Sequence, residues 1–476
     1  MFTKAIRLML AITVATLGWG RSAQAQTFDY FAFFNGIDGD GPEKVIQGTD
    51  GNFYTVTPEG GALQDGNVVR ITPTGEIASI YDFCSKAQCS DGSVPFSPPI
   101  LGGDGNLYGV TYAGGSDLDN GSGWGTLYKM TLDGQITTLH TFCTYPCNDG
   151  TNPTGIVQAA DGNLYGVTSS GGELNGGTLY QITTSGEFKV VHSFCSLANC
   201  ADGEWPISAP ILGSDGNLYG TTSSGNQLNN SGAVYSLSPN GTFSVVHTFS
   251  FHNTFDKSFN QGESPNAVVQ DAHGNLFGTT YNGGAYEWGN IFEITSTLQF
   301  RVLHNFTYGP QSGVTDAITF ANDGNLYGTT GGIDAEGTMF EITGSGEYLT
   351  VQDFFTAGGI QGPYGFFQAP NGNLYGSVAS YNHNNYNGAL FSFSNDFHPS
   401  IGTAPGGGEV GASILILGNN LTGTSSVKFN GVEAAFTVES DTYIQTTVPT
   451  GATTGVVSVV TPSSTLKSNL QFVVTK

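Results

Sequence analysis

The sequence predicts an all-β protein, a seven-bladed β-propeller followed by a smaller β-sandwich. Three observations predict it: one short phrase recurs seven times, the composition disfavours helices, and the recurrence stops near residue 398. The chain has 476 residues, enough for more than one domain. Charged residues make up only 11% and glycines number 70. Short strands joined by Gly-rich turns suit those values better than helices do.

The first element reads as a secretory signal over residues 1–25. Lys4 and Arg7 precede an apolar run from Leu8 to Trp19, and Ala23-Gln24-Ala25 is a small-x-small cleavage site. The mature chain is expected to start at Gln26. As a membrane anchor the run falls short of the roughly 20 residues that cross a bilayer. No other stretch approaches that length, so no membrane span is expected. Removing the segment leaves 10 basic against 38 acidic residues, a net charge of −28. Such a surface repels nucleic acid and anionic lipid, and suits solubility, cations or neutral ligands such as sugars.

The repeat spans residues 26–398. Its phrase reads Asp50-Gly-Asn-Phe-Tyr, then Asp104-, Asp161- and Asp215-Gly-Asn-Leu-Tyr-Gly, His273-Gly-Asn-Leu-Phe-Gly, Asp323-Gly-Asn-Leu-Tyr-Gly and Asn371-Gly-Asn-Leu-Tyr-Gly. Successive copies start 48 to 58 residues apart. Before each runs an apolar stretch such as Gly155-Ile-Val-Gln-Ala. Asp-Gly is read as a two-residue hairpin turn with positive φ at both positions. The phrase itself opens a second strand, a Gly-rich loop leads to a third, and a turn such as Ser185-Gly186 leads to a fourth. Four strands per repeat describe a propeller blade. A linear solenoid is the competing architecture, and the chain ends argue against it. The seventh repeat lacks a fourth strand, whereas Thr27–Phe34 is a strand without a repeat. Lending one to the other closes a ring and removes exposed sheet edges.

Six cysteines form three local pairs, Cys84/Cys89, Cys143/Cys147 and Cys195/Cys200. In an exported protein each pair is read as a disulfide, worth roughly 2 kcal/mol. Zinc is disfavoured. His140 and His192 lie three residues before a cysteine, but His247 and His304 hold the same repeat position without one, and Tyr81 replaces histidine before Cys84. The four histidines are read as packing residues of the outermost strand, and Asp104, Asp161, Asp215 and Asp323 as turn residues.

The seven phrases resemble the GloVer tandem repeat of bacterial exported "choice-of-anchor" proteins over about residues 27–396. The resemblance implies export and carries no biochemical activity to transfer. Neither a sorting motif nor a final hydrophobic stretch with basic residues is present. Beyond Pro399, Gly411-Ala-Ser-Ile-Leu-Ile-Leu-Gly-Asn-Asn-Leu421, Val427-Lys-Phe-Asn-Gly-Val, Tyr443-Ile-Gln-Thr-Thr-Val-Pro449 and Gly455-Val-Val-Ser-Val-Val resemble the strands of an IPT/TIG immunoglobulin-like domain over 399–476. Alternating apolar residues fit a two-sheet sandwich independently.

Candidate chemistry is sparse. Asp38, Asp40 and Glu43 offer clustered oxygens without the spacing of a calcium loop, so no metal and no cofactor is expected. No nucleophile elbow, phosphate loop or His-Glu-x-x-His motif occurs. The tight turns share one face of the disc and the long loops share the other. Variable loops on a rigid scaffold are where binding resides. They carry Tyr112, Trp124, Trp205, Tyr281, Tyr286, Trp288, Tyr381 and Tyr386, flat rings suited to sugars or peptides. The three tryptophans are read as falling where other repeats lack Trp. The leading expectation is a monomeric, exported, non-catalytic binding protein with a carbohydrate or protein ligand near the channel mouth on the long-loop face. A structural or adhesive surface protein is the second reading. A carbohydrate- or polymer-degrading enzyme is the third, with Asp117, Asp119, Glu173 and Glu287 in the right loops and no sequence motif that pairs them.

Overall fold

The computed structural model describes residues 26–115, 123–143, 145–225, 231–249, 261–309, 314–331, 337–354, 360–381 and 387–475. Among the described residues the protein is all-β apart from two single 3₁₀ turns at Ala87–Cys89 and Ala198–Cys200. The signal-sequence reading and Tyr386 lie outside the described residues.

The repeat folds as seven four-stranded antiparallel sheets, I to VII in chain order. Sheet III is representative, with strands Thr151–Gln158, Leu164–Ser170, Thr178–Ile182 and Phe188–Ser193 from one edge to the other. Sheet VII takes three strands from Ile360–Gln368, Leu374–Tyr381 and Ala389–Ser394. Its outer strand is Thr27–Phe33, which runs antiparallel from Thr27 opposite Ser394 to Phe33 opposite Ala389. The expected exchange between chain ends is therefore made.

The recurring phrase is a self-contained hydrogen-bond unit. In sheet III, Asp161 Oδ1 accepts from Asn163 N at 3.0 Å, and Oδ2 accepts from Asn163 Nδ2 at 2.8 Å and from the Tyr165 hydroxyl at 2.9 Å. The unit repeats around Asp50, Asp215 and Asp323. Where His273 replaces the aspartate, Asp271 takes over both bonds to Asn275. The backbone corrects the expected turn type. Gly162 N bonds Ala159 O, Ala159 N bonds Asn163 O, and only the glycine has positive φ. This is a three-residue type I turn closed by a left-handed glycine, so aspartate keeps an ordinary conformation and its carboxylate stays free to accept.

The last glycine of the phrase has a different cause. Gly109, Gly166 and Gly220 lie directly opposite Tyr128, Tyr180 and Tyr235 of the third strand. A Cβ on Gly220 would sit 2.3 Å from the Tyr235 hydroxyl oxygen. Sheets V to VII place Phe292, Phe340 and Phe391 over their glycines. In sheet I no aromatic covers this position, and the pair is Thr55 opposite Val69.

Apolar clusters join each sheet to the next. Tyr54 and Val68 of sheet I meet Leu107 and Tyr128 of sheet II, and equivalent clusters join every later neighbour. A seventh joins Phe366-flanking Ala369 and Leu390 of sheet VII to Val45 and Val69 of sheet I. A β-bulge recurs in the outer strand, as at Leu127/Tyr128 in sheet II. It turns Leu139 and His140 toward sheet III together: Leu139 joins the apolar cluster and His140 stacks on Phe188 at 3.9 Å. His192, His247 and His304 stack likewise on Phe243, Phe300 and Tyr348.

A glutamine at the end of the innermost strand links turns. Gln158 Nε2 donates to Gly162 O in its own turn, while Oε1 accepts from Gly103 N of sheet II at 3.0 Å. Gln270 and Gln368 do the same with Ser214 N and Asn322 N. Leu101, Leu212 and Phe320 hold this position in sheets II, IV and VI. Gln47 of sheet I bonds only its own turn. The donor it would meet on sheet VII is at Pro370, which has no N–H, and Gln47 Oε1 is buried without a partner.

Residues beyond 399 form two further four-stranded sheets. One orders Gly402–Ala404, Ser413–Leu417, Tyr443–Thr447 and Phe436–Val438; the other Val432–Glu433, Ser426–Phe429, Val457–Val460 and Thr465–Lys467. Their apolar faces share one core, including Ile414, Ile416, Val427, Phe429, Ile444 and Val459. This sandwich sits on the Asp-Gly-Asn turns. Thr442 Oγ1 donates to Thr49 O at 2.6 Å, Gln471 Nε2 to Ala272 O at 3.2 Å, and Asn469 Nδ2 to Gln368 Oε1 at 2.6 Å. Pro405 meets Gly103, Ala160 meets Gly407, and Val473 meets Gly216. Asn322 Nδ2 bonds His398 O. The sandwich thus touches six of the seven inner turns, and His398, just before it, touches that of sheet VI.

The hydroxyls of Tyr128, Tyr180 and Tyr235 are buried without a partner, and phenylalanine already serves in sheets V to VII. Tyr180→Phe is expected to leave thermal stability unchanged or raise it by about 1 kcal/mol. Gly220→Ala, which drives a methyl into Tyr235, is expected to lower the melting temperature by several degrees. Calorimetry on the two variants checks both.

Candidate functional site

The face opposite the sandwich is built from the second-to-third-strand loops and the links between sheets. The links after sheets I and III are each anchored by a buried aspartate. Asp202 is wholly buried; its Oδ2 lies 2.9 Å from His192 Nε2 and accepts from Ser196 N and Oγ, and its Oδ1 accepts from Leu197 N. Burial alone would raise this carboxyl; the bonds from His192, Leu197 and Ser196 outweigh it and hold it down at about 2. Asp91 accepts from Tyr81, Ser85 and Lys86 in the same way. Tyrosine and histidine thus exchange at this position because both donate to the link aspartate. Asp149 lies 3.0 Å from His140, and Gln261 takes the aspartate's place beside His247. Burial lowers the His247 and His304 rings below the ordinary histidine value.

The cysteines pair as Cys84–Cys89, Cys143–Cys147 and Cys195–Cys200. The first and last loops wrap Asp91 and Asp202. The tightest cysteine–acid groupings, Asp65 with Cys84 and Cys89 and Glu204 with Cys195 and Cys200, use sulfur already committed to disulfides. Asp38 Oδ1 accepts from Asn35 N, and Asp40 Oδ2 accepts from Asn387 Nδ2 across the closure. Both are occupied with local structure.

A repeated left-handed residue stands before the link proline: Val94, Asn152, Trp205 and Ser264 have φ of 54°, 57°, 56° and 53°. Residues before proline normally avoid this region, and for a β-branched valine it is an outlier. Backbone bonds hold it: Val94 N to Asp65 O, Asn152 N to Trp124 O, Trp205 N to Gly176 O. Trp205 therefore occupies a shared backbone position whose side chain packing does not dictate, and it is 46% exposed.

Tyr112 and Trp124 come together through Asn152, which donates from Nδ2 to Tyr112 O at 3.0 Å and from N to Trp124 O at 2.8 Å. Trp124 is 39% exposed. Phe96, absent from the sequence-based set, packs edge-on against Tyr112 at 5.5 Å and is half exposed; it lies in the innermost segment of sheet II. Tyr281 and Tyr286 are exposed on sheet V. Trp288 departs from the expectation twice. It holds the same repeat position as Trp124, directly before the glycine that opens the third strand. It is also partly buried, packing into the sheet V–VI cluster and edge-on against Tyr308 at 5.4 Å. It is a loop anchor. Tyr381 ends the second strand of sheet VII.

Asp117 and Asp119 lie outside the described residues, and Glu173 is exposed on sheet III. Glu287 is not isolated. Burial raises the Glu263 carboxyl, and the Glu287 charge raises it further. Glu263 sits one residue before Ser264 in the link to sheet V and was not legible as a partner.

Asp202 also makes stability depend on pH. Its folded value lies below the ordinary 3.8, so its contribution is present above about pH 4 and is lost as pH falls through about 2. Asp202→Asn is expected to cost on the order of 2 kcal/mol at pH 7. The gap between the two melting curves should narrow from about pH 4 and close below about pH 2; a gap that persists there would assign the loss to packing.

The repeat profile described as Gloeobacter/Verrucomicrobia repeat matches residues 21–199, 119–330 and 206–435. No curated protein is significantly similar. Among solved structures, a catalytically inactive virginiamycin B lyase from Staphylococcus aureus with quinupristin is 14% identical, with a TM-score of 0.51 over 78% of this chain and 99% of that one. The extracellular domain of a hybrid two-component system from Bacteroides thetaiotaomicron is 12% identical, with a TM-score of 0.51 over 95% of this chain and 58% of that one. At such identities the likeness extends to the fold alone. With three overlapping matches that span most of its length, the chain belongs to the Gloeobacter/Verrucomicrobia repeat family.

Proposed function

We propose that the seven sheets are the blades of one closed propeller over residues 26–398, that residues 399–476 are an immunoglobulin-like domain of IPT/TIG type, and that the protein is an exported, non-catalytic module binding carbohydrate on its long-loop face. One observation carries the reading: the sandwich touches six of the seven inner turns on one face, leaving exposed aromatics on the other. The turn face does hold a groove beside Asp104, Asp161, Tyr443 and Gln445, but the sandwich forms half of it. Phe96, Tyr112, Trp124 and Trp205 supply ring faces of the kind that stack on sugars, and backbone hydrogen bonds rather than burial of the rings fix Tyr112, Trp124 and Trp205.

Export agrees with three disulfides. Among the described residues no helix is long and apolar enough to cross a membrane. The net charge of the mature chain disfavours nucleic acid and anionic lipid.

A glycan array with the purified protein, run beside a hydrolysis screen on the same glycans, tests the reading. Binding without turnover is expected. Replacing Trp124 and Trp205 with Ala should weaken binding at least tenfold with little change in melting temperature. Trp288→Ala should do the reverse. Turnover would overturn the non-catalytic reading and direct attention to Glu263 and Glu287; undiminished binding by the Trp124/Trp205 variant would overturn the site.

A further inference from the structure

Lys44 is the feature the binding reading leaves unexplained. It lies on the innermost segment of sheet I, two residues after the link proline Pro42. Small residues hold the matching places on other sheets: Gly155 on sheet III, Ala267 on sheet V and Gly365 on sheet VII. Inner segments meet closely there, since a Cβ on Gly155 would lie 2.8 Å from the Ala209 Cβ. Lys44 is the exception, and the chain makes room for it. Its stem crosses Gly365 at the sheet VII–I seam, where a Cβ on the glycine would lie 2.7, 2.9 and 3.0 Å from Lys44 Cβ, Cγ and Cδ.

No ion pair or side-chain hydrogen bond is made by the Lys44 ammonium among the described residues. Burial lowers it below the ordinary lysine value. Lys44 is partly buried; an amine that loses hydration without gaining a counter-charge is unfavourable, and a bound anion relieves it. The same seam holds a second unpaired polar group, Gln47 Oε1, 92% of whose residue is buried (8% exposed), orphaned because Pro370 has no N–H to offer. With the sandwich on the turn face, a ligand would reach this seam from the long-loop face.

We propose that Lys44 anchors the carboxylate of an acidic sugar that enters from the aromatic face. This rests on the binding reading above and names its ligand class. A sugar acid satisfies both halves of the site: its ring faces suit the aromatics, and its carboxylate meets the one basic side chain on the innermost strands of the described sheets.

The test uses the full mature chain with its lysines reductively methylated with ¹³C, the Lys44 resonance being assigned by its absence in Lys44→Met. Trigalacturonate is titrated in, then its fully methyl-esterified, neutral form. The acid is expected to shift the Lys44 resonance and to bind at least tenfold more tightly than the ester, and Lys44→Met should remove that preference while keeping the ester's affinity. Equal affinity for acid and ester, or binding that leaves the Lys44 resonance unmoved, overturns the proposal. If neutral glycans bind the face while trigalacturonate never moves Lys44, the Lys44 assignment fails and the binding reading stands. If trigalacturonate moves Lys44 with undiminished affinity after Trp124 and Trp205 are replaced by Ala, the aromatic site fails and the Lys44 assignment stands.

Discussion

Each four-stranded sheet leaves an apolar face that only another sheet can cover, and this constraint organises the rest of the repeat region. A sheet such as III buries Leu164 and Tyr180 toward II and Val167 and Leu179 toward IV. Neither face could stay wet, because fully burying one large apolar side chain is worth about 1.5–3 kcal/mol. The outer-strand bulge follows from the same demand: adding one residue lets an aliphatic and an aromatic neighbour both reach the next sheet. The stacked histidines are part of that seal, and the bonds of His140, His192 and His247 to link acceptors tie the seal to the loops.

Much of this was legible in the sequence because the repeat samples one physical problem seven times. Positions that hold aspartate, asparagine and tyrosine together are positions bonded to one another, and the pairing of chain ends was readable from a missing strand. The turn geometry was misread because Asp-Gly serves two hairpin types, and only φ at Asp161 separates them. The bulge was illegible: an extra residue within a strand changes no residue type. Exchange of Tyr81 for histidine counted against zinc, but the aspartate that both residues bond was not legible.

The candidate site was legible as a face but not as a set of contacts. Tyr112 and Trp124 lie apart in sequence and meet through Asn152, which no pattern flagged. Phe96 was missed because an isolated phenylalanine beside three prolines reads as core. Trp124 and Trp288 hold equivalent positions yet differ in exposure, since Tyr308 is present to cover only one of them. Seating of the sandwich on the turns depends on surface shape, and its contacts fall on residues such as Thr49 and Ala272 that carry no signature of docking.

The glutamine link has an arithmetical side. It joins sheets two by two, II with III, IV with V and VI with VII, and an odd ring cannot be tiled by pairs. One sheet must be left over, and it is sheet I, where the chain also joins its two ends. A rotor of near-identical parts has no landmark; parity forces one upon this one, as a leap day marks one year among four. Lys44 stands at that mark, so the single unmatched joint gives an otherwise repetitive wall a fixed orientation from which a lopsided guest could be read.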